Sequence, residues 1–293
     1  MRRSELGSLS LSPPNLSTPK SLAVARTSLQ ATFDCDAPVA LVTGSGAARV
    51  GRCIAEELSR RGCHVALHAN TSADEATDAA ERWRERFGRE AFVVTGSLED
   101  DATCDRIVDQ THQHFGRLDI LINSAAIWTP TSLEQITGDE IRRYFQINSV
   151  ASLLCGRAAG RWMLDQPQGG SIINIGDWAT GRPYADHAAY FPSKGAVETI
   201  TRSLAVELGS RHPRVRVNCV QPGPVMLAPD VDATTVQSLA ESTLVGRIGS
   251  GEDVAGAVAF LCENTFVTGV CLPVDGGRGI FAPDGLQVGR NTG

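Results

Sequence analysis

Along the first three dozen residues the hydrophobic positions follow neither a helical nor a strand period, and then the pattern turns regular. From Pro38 onward the apolar run Val39-Ala40-Leu41-Val42 leads into Thr43-Gly44-Ser45-Gly46-Ala47-Ala48-Arg49-Val50-Gly51, after which Ile54, Ala55 and Leu58 recur at helical spacing. Strand, glycine turn and helix follow in that order. The alternation continues, with strands predicted at 64–68, 91–95, 118–123, 171–175, 215–221 and 270–274. Between them lie predicted helices at 73–87, 102–115, 139–163, 190–209 and 253–262. Strands that alternate with helices need crossover connections, so the sheet must be mainly parallel and covered on both faces. The expected fold class is therefore α/β, a doubly wound parallel sheet with helices on both faces. With no internal repeat in view, a single domain over 37–281 accounts for the chain, followed by a tail at 282–293.

Composition narrows the function classes. At 42% hydrophobic and 20% charged residues the 293-residue chain reads as globular, and it holds no uncharged apolar run near the roughly 18 residues of a membrane span. A net charge of −6 gives no general attraction to nucleic acid or anionic membranes, which leaves small molecules as the expected partners. The eight cysteines are scattered singly, without the paired spacing of a zinc or redox site, so no metal is expected and a reducing, cytoplasmic setting is. Residues 1–36, rich in Ser, Pro and Thr with Pro13-Pro14, are expected to be a disordered extension. Arg2, Arg3 and the scarcity of acids also suit an organellar transit segment.

Two places carry chemistry. A glycine-rich turn between a first strand and its helix lets backbone approach a pyrophosphate and aims the helix amides at it. At the end of the second strand a carboxylate would bind the ribose 2′-hydroxyl of NAD and repel the 2′-phosphate of NADP. No acid lies between Val65 and Ser72; His68, Asn70 and Ser72 offer hydrogen-bonding groups and Arg49 a cation. NADPH/NADP+ is expected ahead of NADH. Further on, Tyr190 and Lys194 stand four residues apart on one face of a predicted helix, and Pro192 between them requires that this be the helix's first turn. An ammonium and a nicotinamide cation near the phenol are expected to draw its pKa from about 10 toward neutrality, for proton donation to a substrate oxygen.

Taken with Asn123-Ser124-Ala125-Ala126, Asn148, Pro222-Gly223 and Val274-Asp275-Gly276-Gly277, this order of motifs over residues 38–280 resembles the short-chain dehydrogenases/reductases. The resemblance implies a Rossmann-like domain in which Thr43, Gly44, Arg49, Val50 and Gly51 form the phosphate turn. It further implies that Ser97 and Leu98 lie by the adenine, that Asn123 and Ala125 border the riboses, and that Pro222-Gly223 abuts the nicotinamide. Asn148 is expected to hold a water that links Lys194 to solvent. A homo-oligomer, a tetramer packed through the long helices before and at the tyrosine, is implied as well.

Three departures sharpen the resemblance. The glycine turn is one residue longer than usual, and Ser97-Leu98 stands where Asp precedes an aliphatic residue. The serine usual about 13 residues before the tyrosine is replaced by Asp177. That Asp, with Arg49, His68, Ser72 and Gly195-Ala196, resembles the pteridine reductase branch, although Thr71 stands where the branch has Arg. By that resemblance Trp128, five residues after Asn123, would stack on a flat substrate over the nicotinamide. The expected function is NADP(H)-dependent hydride transfer between nicotinamide and a carbonyl or C=N substrate, a pterin-like heterocycle by the resemblance, with Asp177, Tyr190, Lys194 and Asn148 as catalytic residues and Trp128, Asp177 and Tyr190 at the substrate. The alternatives are a 3-oxoacyl-[acyl-carrier-protein] or general carbonyl reductase, and a catalytically silent NADP-binding protein.

Overall fold

The computed structural model describes residues 29–227 and 231–281. Seven strands form one parallel sheet: β1 (Val39–Val42), β2 (His64–Ala69), β3 (Ala91–Thr95), β4 (Ile120–Asn123), β5 (Gly170–Ile175), β6 (Val215–Pro222) and β7 (Cys271–Val274). Their order in space is β3-β2-β1-β4-β5-β6-β7. The chain winds outward from β1 to β3, then crosses to the other side of β1 to start β4, so the direction of winding reverses between β1 and β4. Such a switch point opens a crevice beyond the carboxyl ends of the strands, where α/β proteins hold ligands.

The sheet divides its side chains by alternation. Ala40 and Val42 of β1 join one buried cluster, Val39 and Leu41 the other. The first cluster is closed by α2 (Val50–Arg60), α3 (Ala73–Phe87) and α9 (Gly251–Glu263), the second by α4 (Asp101–Phe115), α6 (Ala151–Asp165) and α7 (Tyr190–Gly209). In α3 the positions Ala76, Ala79, Ala80 and Trp83 form the single apolar stripe of an otherwise charged helix, which explains why its length was readable. Caps fix several starts: Asp100 accepts from the Ala102 amide, and Ser250 and Asp253 form a reciprocal capping box.

Three elements differ from expectation. A short helix, α1 (Leu29–Phe33), lies inside the segment expected to be disordered to residue 36, and both Leu29 and Phe33 are buried in the first cluster. Each such side chain stabilises the fold by about 1.5–3 kcal/mol, so Leu29–Phe33 is part of the folded unit; residues 1–28 and the tail 282–293 lie outside the described residues. The helix expected over 139–163 is α5 (Gly138–Phe145) and α6 joined by a π-helical turn, Gln146–Val150, that contains Asn148. Lastly, α8 (Ala233–Glu241) arises where no element was expected, and it buries no residue.

Candidate active site

At the switch point, the turn after β1 is shaped by close backbone approach. Gly44 has φ +66°, and a Cβ on it would fall 2.6 Å from Ala125 Cα; one on Gly51 would fall 2.7 Å from the Gly44 carbonyl oxygen. Only glycine fits either place. The first turn of α2 starts at Val50, with its amide ends facing this loop, and Arg49 stands exposed at its N-cap. Beside it a second arginine, not singled out in the sequence, grips the turn: Arg52 Nε donates to the Ser45 carbonyl at 2.7 Å, while its Nη2 is buried without a partner. Burial lowers the Arg52 pKa. Asn70 is exposed and Ser72 half-buried at the β2 end, with Ser72 Oγ lying in front of Gly46.

Several residues expected to meet the cofactor have their polar side-chain atoms spent inside the protein. The Thr43 hydroxyl accepts from the amides of Ser124 and Ala125, at 3.0 and 3.1 Å. His68 is a correction to the sequence reading: Nε2 lies 3.0 Å from the Gly96 carbonyl and Nδ1 accepts from the Gly44 amide at 3.1 Å, so no ring nitrogen is left for a ribose phosphate. Burial holds its pKa below the usual value, which keeps Nδ1 free to accept. Asn123 is buried, and its Nδ2 donates to the Ser152 carbonyl and to Asn174 Oδ1. Its Oδ1 has no partner. Ser97 Oγ accepts from the Glu99 amide and Leu98 packs in the second cluster. These residues brace the crevice from within. At its far side Gly223, after β6, lies so close to Asp275 that a Cβ would meet the Asp275 Cα at 2.5 Å.

The chemistry gathers at the end of β5 and the start of α7. Asp177 caps a 3-10 turn, Trp178–Thr180, by accepting from the Ala179 amide at 2.8 Å through Oδ1. Its Oδ2 accepts from the Tyr190 hydroxyl at 2.7 Å. Tyr190 is the first residue of α7 and is buried on Tyr144, Ala189 and Phe191. One turn on, the fully buried Lys194 directs Nζ to the Ile175 carbonyl at 2.7 Å. Desolvation lowers the Lys194 pKa against the opposing pull of Asp177. Around Tyr190, burial first and then the Asp177 carboxylate push the phenol's pKa up, opposing the lowering that an ammonium and a nicotinamide cation would give.

Asn148 links two parts of the site through its side chain. Its Oδ1 accepts from the Ile127 amide, and Nδ2 donates to the Ile127 carbonyl and to Ser193 Oγ, so the side chain ties the loop carrying Trp128 to the helix of Tyr190. Trp128 is 54% exposed, and one of its faces is stacked on His187 with ring centroids 4.9 Å apart. His187, three residues before Tyr190, also meets Tyr184 and Tyr190 edge-on. Sequence reasoning missed it, because a lone histidine in a loop gives no periodic or motif signal. No group of three or more metal-ligating side chains is found among the described residues.

A phosphate turn at a switch point, with a tyrosine and a lysine one helical turn apart beside the crevice, defines a nucleotide-dependent oxidoreductase. The chain belongs to the short-chain dehydrogenase/reductase family: residues 46–278 match the family model described as enoyl-(acyl carrier protein) reductase. Among its relatives, the short-chain dehydrogenase/reductase FrzI of a Cladobotryum species is 36% identical over 249 residues, spanning 81% of this chain and 94% of that protein. Pteridine reductase 1 of Leishmania tarentolae is 33% identical, over 82% of this chain and 96% of its own. A blue fluorescent protein from a metagenomic library, solved with NADPH, superposes with a TM-score of 0.75 at 32% identity and covers 82% of this chain and 97% of its own. The residues around the crevice fit a nicotinamide dinucleotide, since the Gly44 and Gly51 cradle leaves backbone open to a pyrophosphate and Arg52 Nη2 is an orphaned donor at its rim.

Proposed function

We propose that the protein is an NADPH-dependent reductase of flat, conjugated carbonyl or C=N compounds, with pterin-like heterocycles as the substrate class. The observation that carries the reading is the 2.7 Å hydrogen bond from Tyr190 to Asp177, in a pocket whose outer wall is Trp128 packed on His187. A bound dinucleotide would supply the hydride, held by the amides at the start of α2 and by Arg49 and Arg52, whose charges favour a 2′-phosphate. Tyr190 is the acid that protonates the substrate's oxygen or nitrogen. Asp177, half-buried with an edge to solvent, returns a proton to Tyr190 when it carries one; as a carboxylate it can only accept. Lys194 places a buried positive charge behind the pair and limits the build-up of negative charge as the phenol gives up its proton. The exposed face of Trp128 offers a stacking surface that is indifferent to a ring's hydrogen-bond pattern.

Reduction of a 3-oxoacyl thioester is the second reading, kept because of the acyl-carrier description of the matched family model. The pocket wall of Trp128 on His187 weighs against it, since a flat stacking face suits a planar ring better than a flexible acyl chain. A homo-oligomer is also proposed, on the exposed Leu153 of α6 and Val206 of α7; light scattering would give its order. The test of function is NADPH oxidation with a dihydropterin and with an acetoacetyl thioester side by side. Faster turnover of the dihydropterin supports the first reading, faster turnover of the thioester the second, and no turnover of either refutes both.

A further inference from the structure

Arg278 stands at the substrate end of the crevice with its charge unmatched. It follows the turn after β7, and its guanidinium carbon lies 4.9 Å from the centre of the Trp178 ring. Trp178 is the neighbour of Asp177, which holds the Tyr190 hydroxyl. The Arg278 Nη1 atom is buried and has no hydrogen-bond partner, and no ion pair joins the guanidinium to another described residue. Asp275, the nearest acid along the chain, is already committed, its two oxygens accepting from the amides of Gly277 and Gly279 at 2.9 and 2.6 Å.

Nothing loose explains the position. Arg182 Nη1 donates to the carbonyls of Arg278 and Phe281, at 2.9 and 2.8 Å, and so clamps the segment against the loop that follows Asp177. A cation over an indole recovers part of its lost hydration, but a buried N–H without an acceptor still destabilises the protein. Groups of that kind are rare in folded proteins unless a ligand or water completes them. The dinucleotide's phosphates are a poor match: they belong to the turn after β1, and β4 separates β1 from β5, placing Arg278 about 10 Å or more to the side at the usual strand spacing.

We propose that Arg278 is a substrate-recognition residue that binds an anionic group, a carboxylate, carried by the substrate away from its reducible bond. The inference rests on the reading that the substrate lies between Tyr190 and Trp128. The planar guanidinium offers two parallel N–H donors to a carboxylate; Arg182 holds the Arg278 backbone carbonyl and Trp178 packs beneath the guanidinium, so little further ordering is needed on binding. Arg278 thus selects acidic substrates over neutral ones of the same shape.

The experiment is a titration of the NADP+ complex of the full chain with para-carboxybenzaldehyde and with its methyl ester, followed by tryptophan fluorescence. The oxidised cofactor prevents turnover, so binding is read whether or not dihydropterins are reduced. The native protein should bind the acid about tenfold or more tightly than the ester, as expected for a charge-assisted pair. Arg278→Leu should erase that preference by weakening acid binding far more than ester binding, and Arg278→Lys should restore part of it. In turnover with NADPH the same substitution should raise KM for the acid more than it lowers kcat. Equal affinity of the native protein for acid and ester overturns the proposal, as does a preference that survives Arg278→Leu. Loss of assembly in both variants, with acid and ester binding weakened alike, also overturns it, and assigns Arg278 to a subunit contact. Failure to reduce dihydropterins would strike only the proposed function.

Discussion

Asp177→Asn tests the proposed proton route most directly, because it removes one charge while keeping the shape of the side chain. The Tyr190–Asp177 contact is a 2.7 Å bond from a phenol to a carboxylate, a charge-assisted pair of the kind worth about 1.5–3 kcal/mol. That bond is made by the protonated phenol and stabilises the ground state, so the slowing expected of Asp177→Asn comes from losing the group that returns a proton to Tyr190, a general acid–base contribution of roughly 100-fold or more. The direction of the pH effect follows from the same contact. Asp177 helps to hold the Tyr190 pKa up, so removing its charge lowers that pKa. An acid works only while protonated, and the alkaline fall of kcat should therefore begin at lower pH in Asp177→Asn than in the native enzyme. Asp177→Ser should recover part of the rate, since a hydroxyl both donates and accepts, and Asp177→Ala should lose most. The assay is NADPH absorbance against pH at saturating substrate. Unchanged rates and an unchanged pH profile in both the Asn and Ala variants would refute the relay.

Arg49→Ala and Arg52→Ala should each weaken NADPH by about 1–3 kcal/mol and NADH much less, by cofactor titration; equal losses for both cofactors would remove the argument for the 2′-phosphate. Trp128→Ala should raise KM for a planar heterocycle more than for a small aliphatic ketone, and equal effects would make the indole a packing residue only. Phe33→Ala should cost about 3–5 kcal/mol in chemical unfolding, in line with burial on the first core cluster, whereas a loss under 1 kcal/mol would show that α1 is not part of the cooperative unit. His68 has a folded-state pKa below that of the unfolded chain, so the unfolded state takes up the proton first as pH falls, and stability drops below about pH 6.5. Thermal unfolding of His68→Gln should be lower at neutral pH and flatter across that range; an unaltered acid dependence would exclude His68 as its source.

The fold was legible because a parallel sheet buried on both faces writes continuous apolar runs, such as Ile120-Leu121-Ile122 and Ile172-Ile173, between helices with a single apolar stripe. Elements without such a stripe escaped: α1 buries two residues four apart in too short a segment, and α8 buries none. In the site, the sequence spacing of Asp177, Tyr190 and Lys194 was enough to bring them into view, because two of them share a helix turn and the third lies just beyond a strand. Polar residues at strand ends were ambiguous, since a side chain there serves equally well as a brace; both His68 ring nitrogens and the Thr43 hydroxyl meet neighbouring backbone, and Asn123 Nδ2 meets a carbonyl and a buried amide. Least legible were His187 and Arg278, which have no motif and acquire meaning only from what surrounds them. The two kinds of information meet at Asp177. A carboxylate in place of a hydroxyl keeps the phenol protonated, the state from which it donates, but it also makes the phenol a weaker acid and adds negative charge to a half-buried pocket. Lys194 offsets part of that charge from behind, and Arg278 over Trp178 stands on the open side. The pocket is therefore built to work on substrates that bring an acceptor to Tyr190 and, at the other end, a group that an arginine can hold.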